Sequence, residues 1–145
     1  MNKLQTWTHL AERAQTQAAA ALVEVVAANR RLKELASTEA RLHELYADYS
    51  QRLRNVEGAL HKMSQNTMSR HYIAHVETLL QKLAVAQAAA RETLALAQEK
   101  RLAAELERVK MQHLTQCEAA KLQRARKAME QKQLDNLAIT RFNLR

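Results

Sequence analysis

The chain has 145 residues, a formal net charge of +8, one glycine and no proline. So little glycine and proline excludes a compact fold with many turns, and five aromatic residues are too few for a thick globular core. Residues that favour helix dominate instead, so the composition predicts an all-α protein of long helices or coiled coil.

The first sixty residues carry a heptad pattern, in which apolar residues recur in alternating steps of three and four. This first seam consists of Leu4, Trp7, Ala11, Ala14, Ala18, Ala21, Val25, Ala28, Leu32, Leu35, Glu39, Leu42, Tyr46, Tyr49, Leu53, Val56 and Leu60. Only Glu39 breaks its apolar character. A seam that repeats every 3.5 residues needs a partner helix to cover it.

A polar stretch at residues 63–69 interrupts this pattern. It is rich in Ser, Asn and Thr, whose side chains compete with the helical backbone, and Gly58 upstream weakens the end of the first helix. We therefore expect a first helix at 1–62, a turn at 63–69 and a second, longer helix at 70–145. The predicted fold is a long antiparallel two-helix coiled-coil hairpin, and the alternative is a parallel homodimer of one continuous helix.

A second seam continues after the break. It consists of Ile73, Val76, Leu80, Leu83, Gln87, Ala90, Leu94 and Ala97. Beyond residue 100 two phases compete, one through Leu102, Leu106 and Val109 and the other through Met111, Leu122, Ala125 and Met129, which suggests a stutter. Folding the chain at Asn66 places Tyr49 opposite Leu83 and leaves about a dozen residues of the second helix unpaired.

No catalytic motif is present. One glycine cannot build a phosphate-binding loop, and the lone Cys117 excludes an internal disulfide or a cysteine pair for zinc. His71 and His75 share one helix face at i, i+4 spacing, but no third ligand accompanies them and exposed histidines are the simpler interpretation. We expect no enzyme activity, no cofactor and no metal.

The net positive charge is concentrated in the second half of the chain, where residues 121–127 are the densest basic stretch. A basic stretch favours an acidic partner surface. Nucleic-acid binding is a weaker interpretation because no aromatic residue accompanies the patch for base stacking. No signal sequence and no apolar stretch long enough to span a membrane is evident, so we expect a cytoplasmic protein.

A second apolar stripe runs beside the first seam. Leu42, Leu45 and Tyr49 have i, i+3, i+7 spacing, and Leu45 lies outside the seam, as does Leu79 on the second helix. The seam alone accounts for Tyr46 and Tyr49 as core residues. An apolar stripe outside a seam is a candidate docking surface.

The chain resembles the FliJ family of the flagellar type III export apparatus over nearly its whole length. The resemblance is carried by Leu42-His-Glu-Leu-Tyr-Ala-Asp-Tyr49 followed by Leu53, by Tyr72-Ile73 at the start of the second helix, and by Glu130-Gln-Lys-Gln-Leu-Asp-Asn-Leu-Ala138 with Arg141 near the end. It implies an antiparallel coiled-coil stalk, similar to that of rotary ATP synthases, which sits in the pore of the hexameric export ATPase.

The resemblance also implies two binding surfaces and a set of partners. Export-gate contacts fall on Leu42, Leu45, Tyr49, Tyr72, Val76, Leu79 and Leu83. ATPase-ring contacts are expected at Lys127, Glu130, Lys132, Asp135 and Arg141. The implied partners are the hexameric export ATPase, the cytoplasmic domain of the export gate membrane protein and export chaperones, at the inner face of the cell membrane.

Two other classes of protein share this pattern. One is the equivalent stalk protein of a virulence injectisome, which has the same architecture and a different gate. The other is an unrelated coiled-coil scaffold, cytoskeletal or nucleic-acid-binding. The identity of the neighbouring genes distinguishes an injectisome stalk from a flagellar protein. A pull-down that captures a hexameric ATPase at both low and high salt distinguishes an export stalk from an unrelated coiled coil.

Overall fold

The computed structural model describes residues 2–57 and 63–144, and it consists of two long helices. Helix α1 spans Lys3–Glu57 and helix α2 spans Met63–Asn143. Neither helix contains glycine or proline, so no residue interrupts the backbone hydrogen bonds. The prediction of an all-α fold is confirmed.

Helix α1 begins with an asparagine cap. The Asn2 side-chain oxygen accepts a hydrogen bond from the Leu4 backbone N–H at 3.3 Å, and the Asn2 carbonyl accepts one from the Thr6 N–H at 3.3 Å. This cap satisfies a donor that has no partner inside the helix. Farther along, the Thr16 hydroxyl donates to the Glu12 carbonyl at 3.0 Å, so its polar group is satisfied within the helix.

The chain forms two compact units, and both helices contribute to each of them. One unit contains residues 22–100. In it Glu24 lies beside Lys100, whose Nζ donates to Oε1 at 2.9 Å, and Tyr49 lies beside Tyr72. The contacts move backwards along α2 as they advance along α1, so the two helices pack antiparallel and the predicted hairpin is confirmed.

The other unit contains residues 1–21 and 101–145. There the Thr115 hydroxyl, which lies within reach of the Met111 carbonyl at 2.8 Å, also lies 3.1 Å from the Trp7 carbonyl of α1. This unit also contains the end of α2, in which every described residue from 123 to 144 is exposed.

The core follows the heptad seam and is one layer thick. Its buried residues are Ala14, Ala21, Val25, Ala28, Leu35, Val76, Leu83 and Ala97. All of them are seam positions expected from the sequence, and four are alanines, which let two helices approach closely. None of the described side chains is fully enclosed, as expected for a core with only two walls.

The predicted turn at 63–69 was wrong, because these residues form the first turns of α2. The polar side chains of this stretch do not prevent helix, although Asn66 Oδ1 is buried without a hydrogen-bond partner among the described residues. The error also shifted the expected pairing, and Tyr49 meets Tyr72 rather than Leu83. Gly58 and Leu60 lie outside the described residues.

The predicted stutter beyond residue 100 was also wrong. The seam continues in one phase through Ala104, Arg108, Met111, Thr115, Glu118 and Leu122, all partly buried. The competing phase lies outside, with Leu102 and Leu106 each 63% exposed. Polar residues at seam positions concealed the pattern; Arg108, for example, donates from Nε to Glu105 at 3.0 Å and from Nη1 to Gln112 at 3.0 Å. Leu122 is the last partly buried residue of α2, so the unpaired end is longer than the dozen residues expected.

Candidate functional site

Three residues expected to contact the export gate form one exposed patch, which we call the aromatic surface: Leu45, Tyr49 and Tyr72. The rings of Tyr49 and Tyr72 stack across the two helices, with centroids 5.2 Å apart and planes 12° from parallel. Leu45 is 43% exposed and Tyr72 is 41% exposed, whereas Tyr49 is half-buried. A stacked pair is a rigid apolar contact that loses little side-chain entropy on binding.

Arginine 52 adds a positive charge to the aromatic surface. The Arg52 guanidinium lies 5.7 Å from the centre of the Tyr49 ring, within the range of a cation–π contact. Arg52 was not among the site residues expected from the sequence, although its place three residues after Tyr49 on a helix was a usable signal. The surface therefore combines exposed apolar groups with a cation held beside them.

The other expected gate residues lie at different depths. Leu42 and Leu79 are half-buried, so each presents an edge to solvent. Val76 and Leu83 are only 4% and 8% exposed and belong to the core. The structure thus places Val76 and Leu83 in the packing between the helices, and leaves Leu45 and Tyr72 as the most accessible members of the set.

Tyrosine 46 also departs from its expected place. It occupies a seam position, yet it is 37% exposed. The seam therefore does not bury every aromatic residue in this stretch, and Tyr46 adds exposed apolar area three residues after His43.

Two polar residues, Glu39 and Gln87, meet in the seam of the unit formed by residues 22–100. The Gln87 side-chain N–H donates to Glu39 Oε2 at 2.6 Å, and His43 Nε2 lies 3.6 Å from Glu39 Oε1. The hydrogen bond from Gln87 lowers the pKa of the Glu39 carboxyl, and His43 and Arg91 lower it further against the opposing effect of burial. These contacts favour the charged carboxylate of Glu39 over its protonated form.

The five residues expected to contact the ATPase ring all lie in the exposed end of α2. Lys127, Glu130, Lys132, Asp135 and Arg141 are each exposed, and Asp135 accepts a hydrogen bond from Gln131 at 3.1 Å. The structure does not gather them into one cluster, because they are distributed over several turns. They belong to the unit of residues 1–21 and 101–145, whereas the aromatic surface belongs to the other unit.

Large apolar side chains are exposed on the same segment, and of these only Met129 was expected from the sequence, as a seam residue. Met129, Leu134, Leu137, Ile139 and Phe142 are between 58% and 81% exposed. At about 100° per residue, they point in five directions roughly 60–80° apart around the helix. This segment consequently has apolar groups on every side and no single apolar face.

The histidines and the cysteine do not form a metal centre in the part of the chain that the structure describes. His71 and His75 are both exposed on α2, and no three His, Cys, Asp or Glu side chains of the described residues come close enough to hold a metal ion. Cys117 is exposed, with its Sγ 3.5 Å from His113 Nε2. Within residues 2–57 and 63–144 no helix is sufficiently long and apolar to cross a membrane.

Comparison with known proteins gives one result over the whole chain. The family model described as "Flagellar FliJ protein" matches residues 1–145. No curated protein and no solved structure matches the chain significantly. Because the match spans every residue and agrees with the antiparallel two-helix fold, the chain belongs to the flagellar FliJ family and is a component of the flagellar type III export apparatus.

Proposed function

We propose that this protein is a non-enzymatic stalk of the export apparatus that binds the hexameric export ATPase and links the ATPase and export chaperones to the export gate. The observation that carries the proposal is the exposed end of α2, which has apolar side chains all around its circumference. The protein acts in the cytoplasm, at the inner face of the membrane, through its partners.

The form of this helix end favours a partner that surrounds it. A helix that docks on a flat surface or in a groove needs one apolar stripe, at i, i+3, i+4 and i+7 spacing. Met129, Leu134 and Ile139 instead point in directions about 80–140° apart around the helix, so a one-sided partner would leave at least one of them in water. A ring with a central pore covers all of them together, which agrees with the ATPase implied by the family.

The charges of the segment suit the same partner. Residues 121–144 contain six Lys or Arg and two Asp or Glu, and the only hydrogen bond between charged or amide side chains that the structure gives within them joins Gln131 to Asp135. The unpaired cations attract an acidic pore lining and speed its encounter with the helix. Lys127, Lys132 and Arg141 are the cations that we assign to the ring.

The aromatic surface is the proposed gate contact. Leu45, Tyr49 and Tyr72 present a rigid apolar patch of the kind that anchors protein interfaces, and Arg52 gives it a preference for a partner with a carboxylate at its rim. Leu42 and Leu79, which are half-buried, and Val76 and Leu83, which are buried, complete the set that the family implies for this contact. The chaperones are proposed from the family alone.

The experiment measures stimulation of the purified export ATPase. Lys132→Glu with Arg141→Glu should reduce stimulation at least about fivefold while circular dichroism shows unchanged helicity, because both residues are exposed. Arg30→Glu with Lys33→Glu is the matched control, since it makes the same change in net charge at exposed positions outside both proposed surfaces. A second variant, Leu137→Ser with Phe142→Ser, tests the apolar contacts.

Equal stimulation by the Lys132/Arg141 variant, the Leu137/Phe142 variant and the parent would refute the ring assignment. A loss that appeared equally in the Arg30/Lys33 control would show that only net charge matters. Loss in the first two variants with a silent control is the result that the proposal requires.

A further inference from the structure

We infer that the contact between Glu39 and Gln87 fixes the register at which α1 and α2 pack. In unit 22–100, Glu39 is the only charged residue in the α1 seam from Val25 to Leu53. Gln87 is the only polar residue in the α2 seam from Ile73 to Ala97. These two exceptions meet each other, with Gln87 Nε2 donating to Glu39 Oε2 at 2.6 Å.

The apolar layers around the pair do not select a register strongly. Burial of leucine, isoleucine and valine is non-directional, and a shift of one heptad replaces one aliphatic contact with a similar one. A shift of this kind keeps both seams facing each other. The aliphatic layers therefore make the hairpin stable, but they leave neighbouring registers close in free energy.

The polar pair removes that degeneracy. If α2 shifted by one heptad, Glu39 would face Leu94 or Leu80 in place of Gln87, and Gln87 would face Tyr46 or Leu32. A half-buried carboxylate would then lose its charge-assisted hydrogen bond and lie against a hydrocarbon side chain, which is unfavourable. Only the observed register pairs the two polar groups, so it alone keeps the hydrogen bond between them.

A third residue holds the carboxylate in position. His43, one turn after Glu39, places Nε2 3.6 Å from the second carboxylate oxygen, Oε1. Both Glu39 oxygens thus have a polar neighbour, one from each helix. With His43 beside Oε1, Oε2 faces Gln87. A shift of α2 would therefore break the hydrogen bond between Gln87 and Oε2.

The test uses disulfide reporters in the full chain with Cys117→Ser. Tyr49→Cys with Tyr72→Cys reports the observed register, and Tyr49→Cys with Leu79→Cys reports a one-heptad shift. Each pair is placed in three backgrounds: the parent, Glu39→Leu with Gln87→Leu, and Glu39→Gln, which retains hydrogen bonding to Gln87. Glu24→Gln with Lys100→Gln is the matched control, because it removes an exposed interhelical ion pair outside the seam.

In the parent and in Glu39→Gln we expect closure of the 49/72 pair and little of the 49/79 pair. In the double-leucine background the 49/79 disulfide should increase at least fivefold while the melting temperature rises, because two apolar residues replace a polar layer. The inference is overturned if the double-leucine protein gives the same reporter yields as the parent. It is also overturned if the Glu24/Lys100 control shifts register equally.

Discussion

Comparing Leu45 of the aromatic surface with Leu35 of the core tests whether a leucine serves to bind a partner or to pack the two helices. Leu45 and Leu35 lie on the same helix, but Leu45 is 43% exposed and Leu35 only 6%. Replacing a buried leucine by alanine costs about 2–5 kcal/mol. Leu35→Ala should therefore lower the free energy of unfolding by about 3 kcal/mol. Leu45→Ala should lower it by about 1 kcal/mol, because nearly half of its side chain is already in water.

Thermal unfolding and binding distinguish the two roles. For a chain of this size about 1 kcal/mol corresponds to roughly 3–4 °C in melting temperature, so we expect a fall of about 10 °C for Leu35→Ala and of at most about 4 °C for Leu45→Ala. Calorimetric titration with the gate's cytoplasmic domain should show at least a tenfold loss of affinity for Leu45→Ala. Leu35→Ala, measured where it is fully helical, should bind as the parent does.

The docking role of Leu45 is refuted if Leu45→Ala has as low a melting temperature as Leu35→Ala and binds the gate normally, because Leu45 would then be a packing residue. It is also refuted if both variants lose binding to the same extent, because the loss would then follow stability and not the surface. The comparison needs no assumption about the gate's structure, since both changes remove the same atoms from the same helix.

Three further predictions concern the coiled coil itself. Gln87 lowers the pKa of Glu39, so the stability that this carboxylate contributes is present above its ordinary pKa of 4.5 and is lost as the pH falls through the lower folded-state value. Glu39→Gln should therefore flatten that part of the pH dependence of the melting temperature. Ala21 is 2% exposed, so Ala21→Leu should destabilise the protein by about 1–3 kcal/mol in urea unfolding, while Ala20→Leu at an exposed neighbour should change little. Glu24→Cys with Lys100→Cys, in Cys117→Ser protein, should be bridged within one chain by a short bismaleimide, and bridges only between chains would contradict the hairpin.

The sequence predicted the helices and the core well because both depend on a local period. Steps of three and four residues identify the buried side of a helix without any knowledge of its partner. Ala14, Val25 and Leu83 were all expected in the seam, and all are buried. Glu39 and Gln87 were likewise recognised as exceptions, each on its own helix.

The pairing of the helices was not predictable in the same way, because it depends on where the first helix ends and the second begins. Placing the turn at Asn66 moved Tyr49 away from Tyr72, so neither the stacked rings nor the meeting of Glu39 with Gln87 was foreseen. The seam beyond residue 100 was misassigned for a different reason. Arg108 and Glu118 occupy seam positions there, and polar residues conceal a period that is recognised by its apolar members.

A core of one layer has a consequence for how the protein opens. In the described helices a single layer of side chains separates the two backbones, so a few turns can open and exchange hydrogen without global unfolding. Amides near Leu35 and Val76 should exchange slowly, because both helices must separate to expose them. Amides of residues 123–144 are protected only by their own helix and should exchange fastest. A partner that encloses this segment would then supply the protection that the chain itself does not provide.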